Sequence, residues 1–452
     1  MEKTPDLIET TMVSAGGNLE HEFKQLEQEG NKSLLMTRCE GYAGWTLPYL
    51  FMPTISAGAV EQQLDYQSLG ARCVNHLSNK LIFALFNPTR PFFKLGASPE
   101  YEMELTEVGI TNAILALVFS KAEREAMSTM MKRRIRTNII LAMKHLIITG
   151  NGLLFVPPDG KSAVQVYNLR DYVVRRDLGG EPTLIMTKDH KKKVTLPAEI
   201  QAQLPKKSSQ DNVVLYTKVV RGDNGTWTMT QGVDDVPLSS KGSWKKEMLP
   251  WIPLTWELPR GFQYGVGLVE QYAGAFNVVS ILSEALTTGG AISADIKRLV
   301  DPTGVTDVYE LNRAQSGEYV TGRAGDITTL ELGKANDLNW VSQLLEKYER
   351  AIGQAFLLNS AVTRDAERVT AQEIRQQAQE LETSLGGVYS ALADDLQTPL
   401  AYLALKGADF TVDGNKVEPL VITGMDALQR DNDADNLMMF FGDLAQLAQV
   451  PA

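Results

Sequence analysis

Two runs of apolar residues at helical spacing, separated by a glycine-studded segment, constrain this chain more than any other feature. Leu268, Tyr272, Phe276, Val279, Leu282 and Leu286 recur every three or four residues, and Gly289-Gly290 lies near the end of the run. Val341, Leu344, Leu345, Tyr348, Ile352 and Phe356 mark a second stripe over 337–358. At about 1.5 Å per residue the first helix would be about 40 Å long. Between them, short apolar runs at 308–311, 318–321 and 327–332 read as small strands among turns. The expectation is two long rods around a compact insert.

The rest of the chain is read by the same periodicity. Residues 18–150 read mainly as helix. One stretch covers 60–86, with Leu64, Leu69, Val74, Leu77, Leu81 and Leu85, and stops at Asn87-Pro88. Another covers about 107–146 and holds Lys132-Arg133-Arg134 and Arg136. Near Gly150 the period changes to strands at 153–156, 164–167, 172–174, 183–186, 213–220, 226–230 and 251–256, an antiparallel β-rich region over 151–260. A polar insert at 190–211, with Lys191, Lys192 and Lys193, reads as an exposed loop or short helix. Thr370-Ala-Gln-Glu373 is a capping box ahead of a strongly periodic helix. Gly386, Gly387 and Pro399 interrupt that helix and would kink it. Asp413-Gly414 reads as a hairpin turn between 410–412 and 417–421, and a last apolar helix begins near Asp426. The fold class is α+β, mainly helical.

At 452 residues, 44% of them hydrophobic, the chain has enough apolar material for two to four folded units. A net charge of −11 argues against a protein that coats DNA by neutralising phosphates. It is compatible with one that surrounds DNA without gripping it. Cys39 and Cys73 alone imply no disulfide framework, and point to a reducing compartment. The acidic N-terminus lacks the apolar centre of a signal peptide. Apolar stretches such as 139–143 and 437–441 fall far short of the roughly 20 residues of a transmembrane helix, so no membrane is expected.

The chain lacks the usual marks of catalysis. Gly160-Lys161-Ser162 has Phe155 where a phosphate-binding loop needs glycine. Gly265-Val-Gly267 lacks the third glycine of a dinucleotide fingerprint. His21, His76, His145 and His190 have no zinc spacing with the two cysteines, and His76 and His145 read as structural. No catalytic residue, metal or cofactor is assigned. The basic runs at 132–136 and 191–193 read as solvated or inter-subunit faces, with contact to DNA or anionic partners as the other reading.

The stretch Arg364-Asp-Ala-Glu-Arg-Val-Thr-Ala-Gln-Glu-Ile-Arg375, continuing through Glu380-Leu-Glu382, Leu385-Gly-Gly-Val-Tyr-Ser390 and Leu396-Gln-Thr-Pro-Leu400, resembles the signature of podovirus portal proteins, the head-to-tail connectors of short-tailed phages. Trp45-Thr-Leu-Pro-Tyr-Leu50, Leu85-Phe-Asn-Pro-Thr-Arg-Pro-Phe-Phe93 and Tyr264-Gly-Val-Gly-Leu-Val-Glu-Gln-Tyr272 resemble the same family, in order, over about 40–400. The 364–400 stretch is the most specific.

The resemblance implies the phage portal fold, a ring of about twelve subunits around a central channel. Residues 1–261 would be the wing, 262–292 and 337–358 the two stem helices, and 293–336 the clip. Residues 359–368 would be the tunnel loop, 369–400 the kinked tunnel helix, and 401–452 the crown or C-terminal part of the wing. Relatives carry more chain beyond the crown's start than the end at Ala452, which leaves the crown either short or cut off. The implied partners are further copies, double-stranded DNA in the channel, the major capsid protein, the terminase large subunit, a tail adaptor, and internal core and scaffolding proteins. The implied place is the portal vertex of the virion, after assembly in the host cytoplasm. Arg364, Glu367 and Arg368 would face DNA from the tunnel loop, or Arg364 and Arg368 would pair with neighbouring acids. Glu373, Glu380 and Glu382 would give the channel an acidic wall, or form a plain solvated face. The competing readings are a virion ring or adaptor without a DNA channel, and an ATP-driven packaging motor, which the missing phosphate loop disfavours.

Overall fold

The computed structural model describes residues 18–52, 65–86, 91–107, 112–195, 201, 212–233, 236–294, 297–330, 335–358, 380–381, 383–385, 387–408, 410 and 416–421. The chain opens with helices α1 (Leu19–Glu29) and α2 (Lys32–Trp45). The Asn18 side chain caps α1 by accepting from the His21 N–H at 3.1 Å. Helix α3 (Leu69–Leu85) follows, then strand β1 (Phe93–Ala97) and helices α4 (Pro99–Glu107), α5 (Asn112–Lys132) and α6 (Ile135–Thr149). Helix α3 is the axle of the core: Cys73, Val74, Leu77, Leu81 and Leu85 are all fully buried. It packs on α6, where Ile139, Met143, Leu146 and Ile147 are buried as completely.

The sequence suggested one helix over 107–146, and the structure shows two. The break falls inside the basic run, where Arg134 adopts a left-handed φ of 54°. Arg133 is 2% exposed, and its guanidinium donates to the carbonyls of Ser162 and Pro157. The solvated face expected at 132–136 therefore holds for Lys132, Arg134 and Arg136 and fails for Arg133. Helix α3 starts at Leu69 rather than near residue 60, because 65–68 are not helical.

The β-rich region is present and antiparallel. Strands β2 (Asn151–Phe155), β3 (Gln165–Tyr167) and β9 (Trp251–Thr255) form one sheet in the order β3-β2-β9. Strands β4 (Tyr172–Arg176), β5 (Pro182–Lys192), β6 (Asn212–Arg221), β7 (Trp227–Val233) and β8 (Val236–Trp244) form a five-stranded meander in chain order. Gly225, at φ 76°, makes the turn between β6 and β7. The insert expected as loop at 190–211 begins as strand. His190, Lys191 and Lys192 continue β5 and pair with Val214, Val213 and Asn212, since main-chain pairing is indifferent to lysine at a half-exposed edge. Strand β8 was hidden from the sequence because Pro237, Gly242 and two serines dilute its β-formers.

Beyond the sheets come the short helix α7 (Leu268–Gln271) and the long helix α8 (Ala273–Ala294). A knob follows, made of β10 (Lys297–Val300), α9 (Val308–Arg313) and β11 (Ile327–Leu330), with β10 and β11 antiparallel. Two small strands expected there are corrected. Residues 308–311 are helical, started by the Asp307 carboxylate accepting from the Tyr309 N–H at 2.7 Å, and 318–321 form no strand. Buried Asp326 organises the knob by accepting from the Val305 and Thr306 N–H groups and the Thr306 hydroxyl.

Helix α10 (Ala335–Ala355) returns from the knob. The described chain ends with α11 (Val388–Leu392), α12 (Thr398–Gly407) and β12 (Val417–Val421). The partner of β12 is β1, in the register Phe93 to Val421, rather than a hairpin neighbour at 410–412. Residues 411–415, with the Asp413-Gly414 turn, and the helix expected from Asp426 lie outside the described residues.

The structure also corrects the transmembrane reading. The stretch Ala273–Ser293 in α8, with mean hydropathy 1.2, is long and apolar enough to cross a membrane. Its small and hydroxyl residues disguise it as mixed sequence. In the isolated subunit most of it is uncovered.

His145 lies in the core of α6, 5% exposed, and burial pulls its imidazole from an ordinary value of 6.5 down to about 4. Below pH 6.5 the unfolded chain takes up a proton that the folded chain refuses until about pH 4. Stability is therefore fully present above 6.5 and lost as pH falls through that window. At about 1.4 kcal/mol per pKa unit the loss is on the order of 3 kcal/mol. Urea denaturation of the chain and of His145→Gln, at neutral pH and at low pH, is expected to show a shallower acid loss in the variant.

Candidate functional site

The site is built from the corner at which the sheets hand the chain to the long helices. Helix α6 ends at Gly150, φ 74°, and Asn151 follows at once. The Asn151 side chain holds Gly265 on both sides, accepting from its N–H at 2.7 Å and donating to its carbonyl at 3.0 Å. The Trp256 N–H donates to the Gly150 carbonyl at 2.9 Å, and the Val266 N–H to the Glu257 carbonyl at 2.7 Å. Gly267 is glycine for want of space: a Cβ there would sit 2.7 Å from the Gly150 N and 2.9 Å from the Ile148 carbonyl oxygen. The glycines of Tyr264-Gly-Val-Gly267, which fail as a nucleotide fingerprint, thus allow two backbones to touch.

From this corner α8 departs and α10 comes back along it. Phe356 packs edge-on against Phe276 at 5.6 Å and Tyr272 at 6.0 Å between ring centroids. Far along the pair, a Cβ on Gly289 would lie 2.8 Å from the Leu338 side chain. Phe276 facing Phe356 and Gly289 facing Leu338 define antiparallel helices in contact along their length. Val279 and Ile352 complete the buried base, while Ile281, Ile292 and Trp340 are each more than half exposed. The base of the pair is thus fixed in the core, and its outer part bears uncovered apolar side chains.

Helix α10 ends at Leu357, a non-glycine residue in the left-handed region at φ 57°. The Leu358 N–H reaches back to the Gly353 carbonyl at 2.7 Å to close the terminus. The conformation is tolerated because Leu357 is itself buried in the main core. Arg364, Glu367, Arg368, Glu373, Glu382 and Gly386 lie outside the described residues. Glu380 is described, and its carboxylate pairs with Lys80 of α3 at 2.7 Å. The Lys80 side chain is 6% exposed, so the pair ties the returning chain to the core.

Gly387, at φ 88°, precedes α11, and a π-wound turn, Ala393–Gln397, separates α11 from α12. Pro399 sits in the first turn of α12. It has no N–H to offer the carbonyl four residues back, and the wider turn lies beside it. Helix α12 runs on to Gly407, past the boundary at 400 read from sequence. Gln397 donates to the Leu85 carbonyl and Tyr389 to the Ala84 carbonyl, filling acceptors that the end of α3 leaves open. The sequence gave no signal for these two capping side chains, because their partners lie some 300 residues away in sequence. Among the described residues no cluster of three metal-ligating side chains occurs. Cys39 and Cys73 are buried free thiols, both pushed up to about 12 by desolvation.

Comparison with known proteins decides the family. Residues 18–452 match the model of the bacteriophage head to tail connecting protein. The chain belongs to that family. It is 37% identical to the portal protein of Enterobacteria phage SP6 over 441 residues, covering 96% of this chain and 85% of that protein. It is 34% identical to the portal protein of Escherichia phage T7, covering 89% of this chain and 77% of that protein. A chain from the virion of a native gene transfer agent particle overlays with TM-score 0.39 and 12% identity, covering 85% of this chain and 87% of that one, an overlay too loose to carry an argument. In this connector-family chain the corner of the two long helices has a direct test. Gly267→Ala drives a methyl into backbone, and overpacking of this kind costs about 1–3 kcal/mol. Gly274→Ala meets nothing within 4 Å and sits in α8, where alanine is favoured. Thermal denaturation is expected to show a lower Tm for the first and an equal or higher Tm for the second.

Proposed function

We propose that this chain is the subunit of a portal ring, in which about twelve copies close around a channel at one capsid vertex and pass double-stranded DNA during packaging and ejection. The observation that carries the reading is the family match over 18–452, with 37% identity to a phage portal protein. The geometry supports it through the antiparallel pair α8 and α10, rooted in the core at one end and carrying the β10–β11 knob at the other. In this reading α8 and α10 are the stem, the knob is the clip, and the body up to residue 261 is the wing.

Ring closure joins two different faces of each subunit. Ile281 and Ile292 on α8, Trp340 on α10 and Leu117 on α5 are exposed apolar groups that neighbouring copies would cover. In the knob Val305, Tyr309 and Tyr319 are more than three-quarters exposed, and they offer a docking surface to the terminase large subunit and then to the tail adaptor. The major capsid protein would surround the wing, and core or scaffolding proteins would meet the crown. Assembly would take place in the host cytoplasm, and the ring would remain in the virion.

Function here is passage rather than reaction. Duplex DNA carries one charge per about 1.7 Å of axis, so a wall dense in cations would hold it fast. A chain of net charge −11 lines a hole with little such grip. Glu373 and Glu382 are assigned to the acidic channel wall. Glu380 shares the helix, but its bond to Lys80 makes it an anchor as well. Arg364 and Arg368, with Glu367, are assigned to the tunnel loop, as weak contacts that retain packed DNA.

Electron microscopy of the purified chain is expected to show rings with a central hole and rotational symmetry near twelvefold; solid discs would favour a ring or adaptor without a channel. In infected cells Arg364→Ala with Arg368→Ala is expected to leave ring assembly intact and lower the nuclease-protected DNA per particle. Unchanged retention would remove these arginines from the role.

A further inference from the structure

A cleft of about 680 Å³ opens between the β-sheets and the π-wound turn before α12. A water's share of the liquid is about 30 Å³, so the space is far larger than a solvent pocket. Its inner wall is apolar and aromatic, with Trp227 and Trp251 at its base, 1% and 4% exposed. The indole N–H groups of both, and the Nε–H of Arg176, are buried donors without a protein partner. All three residues line this one cleft. Buried donors of this kind call for acceptors.

The mouth has the opposite character. Glu181, Glu247 and Asp395 place carboxylates there, against Lys246 and Arg176. Lys246 is already committed to Glu181 at 2.7 Å. An anion would satisfy the donors inside but be repelled at the rim. A peptide segment suits both regions, because its carbonyls accept from the indoles and Arg176 while a basic side chain meets the acids.

The chain itself carries such a segment at the other end of the same strand. Strand β5 leaves the cleft at Pro182 and ends at Lys192. At about 3.3 Å per residue this end lies on the order of 30 Å away, out of reach of its own cleft. The tip pairs a basic residue, Lys191, with Val194, which is 59% exposed. A cleft at one end of a strand and a matching tip at the other form a heterologous pair of surfaces, the kind that closes rings.

We propose that the cleft is a receptor for a second copy of this chain, and that the β5 tip of one subunit, Lys191 with Val194, seats against the tryptophans and acids of the next. The inference rests on the ring reading and deepens it by naming a contact in the wing, apart from the long helices. The mode is insertion of a main-chain segment, with Val194 against the aromatic wall and Lys191 at the rim beside Glu247 and Asp395.

Two cross-linking measurements on assembled rings test it. In the double variant Val194→Cys, Glu247→Cys, oxidation is expected to give a ladder of covalent dimers and larger species on non-reducing gels. Neither single variant should give it, since Cys39 and Cys73 are buried. Rings of the unchanged chain, treated with a carbodiimide, are expected to yield peptides joining Lys191 to Glu247 or Asp395 by mass spectrometry. This second measurement decides the matter if the cysteine pair disturbs assembly. Intact rings that give no Lys191 cross-link to these acids overturn the inference and leave the portal reading standing. A chain that stays monomeric at all concentrations overturns both.

Discussion

The contact between Asn151 and Gly265 carries more of this architecture than its size suggests. One carboxamide satisfies both main-chain groups of a glycine deep inside the protein, where an unmet donor or acceptor costs about 1–3 kcal/mol. It does so where α6, the β2 sheet and the approach to α8 converge. Around it, Gly150 and Gly267 bring two backbones closer than any side chain would permit. The direction in which α8 leaves the body is set here, and α10, knitted to α8 through Phe356, inherits it. A lever some 20 residues long amplifies small errors at its root, which explains why the root is made of hydrogen bonds and close packing rather than of surface ion pairs.

Much of this was legible in the sequence, for definite reasons. The stripes on 268–286 and 341–356 could be read because each helix has one face bound to the other, and binding on one face is what produces a period. Most strands of the meander were legible because β-branched and aromatic residues fill them. What stayed hidden depends on partners distant in the chain. Nothing local in Arg133 separates it from Lys132 or Arg134, yet two carbonyls near residue 160 bury it and break the helix. Strand β12 looked like half of a hairpin because a turn signal precedes it, but β1 was the better partner. Glu380 reads as one more acid on a polar face until Lys80 arrives from α3. The residues expected nearest DNA, Arg364 and Arg368, were named on family resemblance, and the described part of the chain does not include them.

Charge and apolarity are divided by region. Buried ionic groups, such as Lys80 with Glu380 and Lys218 with Glu22, act as internal fasteners. The long helices and the knob instead present uncovered hydrophobic side chains, among them Ile281, Trp340 and Tyr319. A soluble monomer has no use for such a surface. A subunit whose neighbours arrive on both flanks does, and α8 can then be hydrophobic enough to resemble a membrane segment while serving as protein interior in the assembly.

The pairing of β1 with β12 has a consequence for synthesis. Phe93 cannot meet Val421 until nearly the whole chain has left the ribosome, so the outer sheet of the body is the last part to close. Pairing across such a separation is slow compared with helix formation, because a very long loop must be gathered first. A nascent subunit therefore remains unfinished along this edge while its helices are already formed, and only full-length chains can present a completed body to one another. The fold thus has a built-in check that biases recruitment toward finished copies, where a single truncated member would leave a gap in the circle.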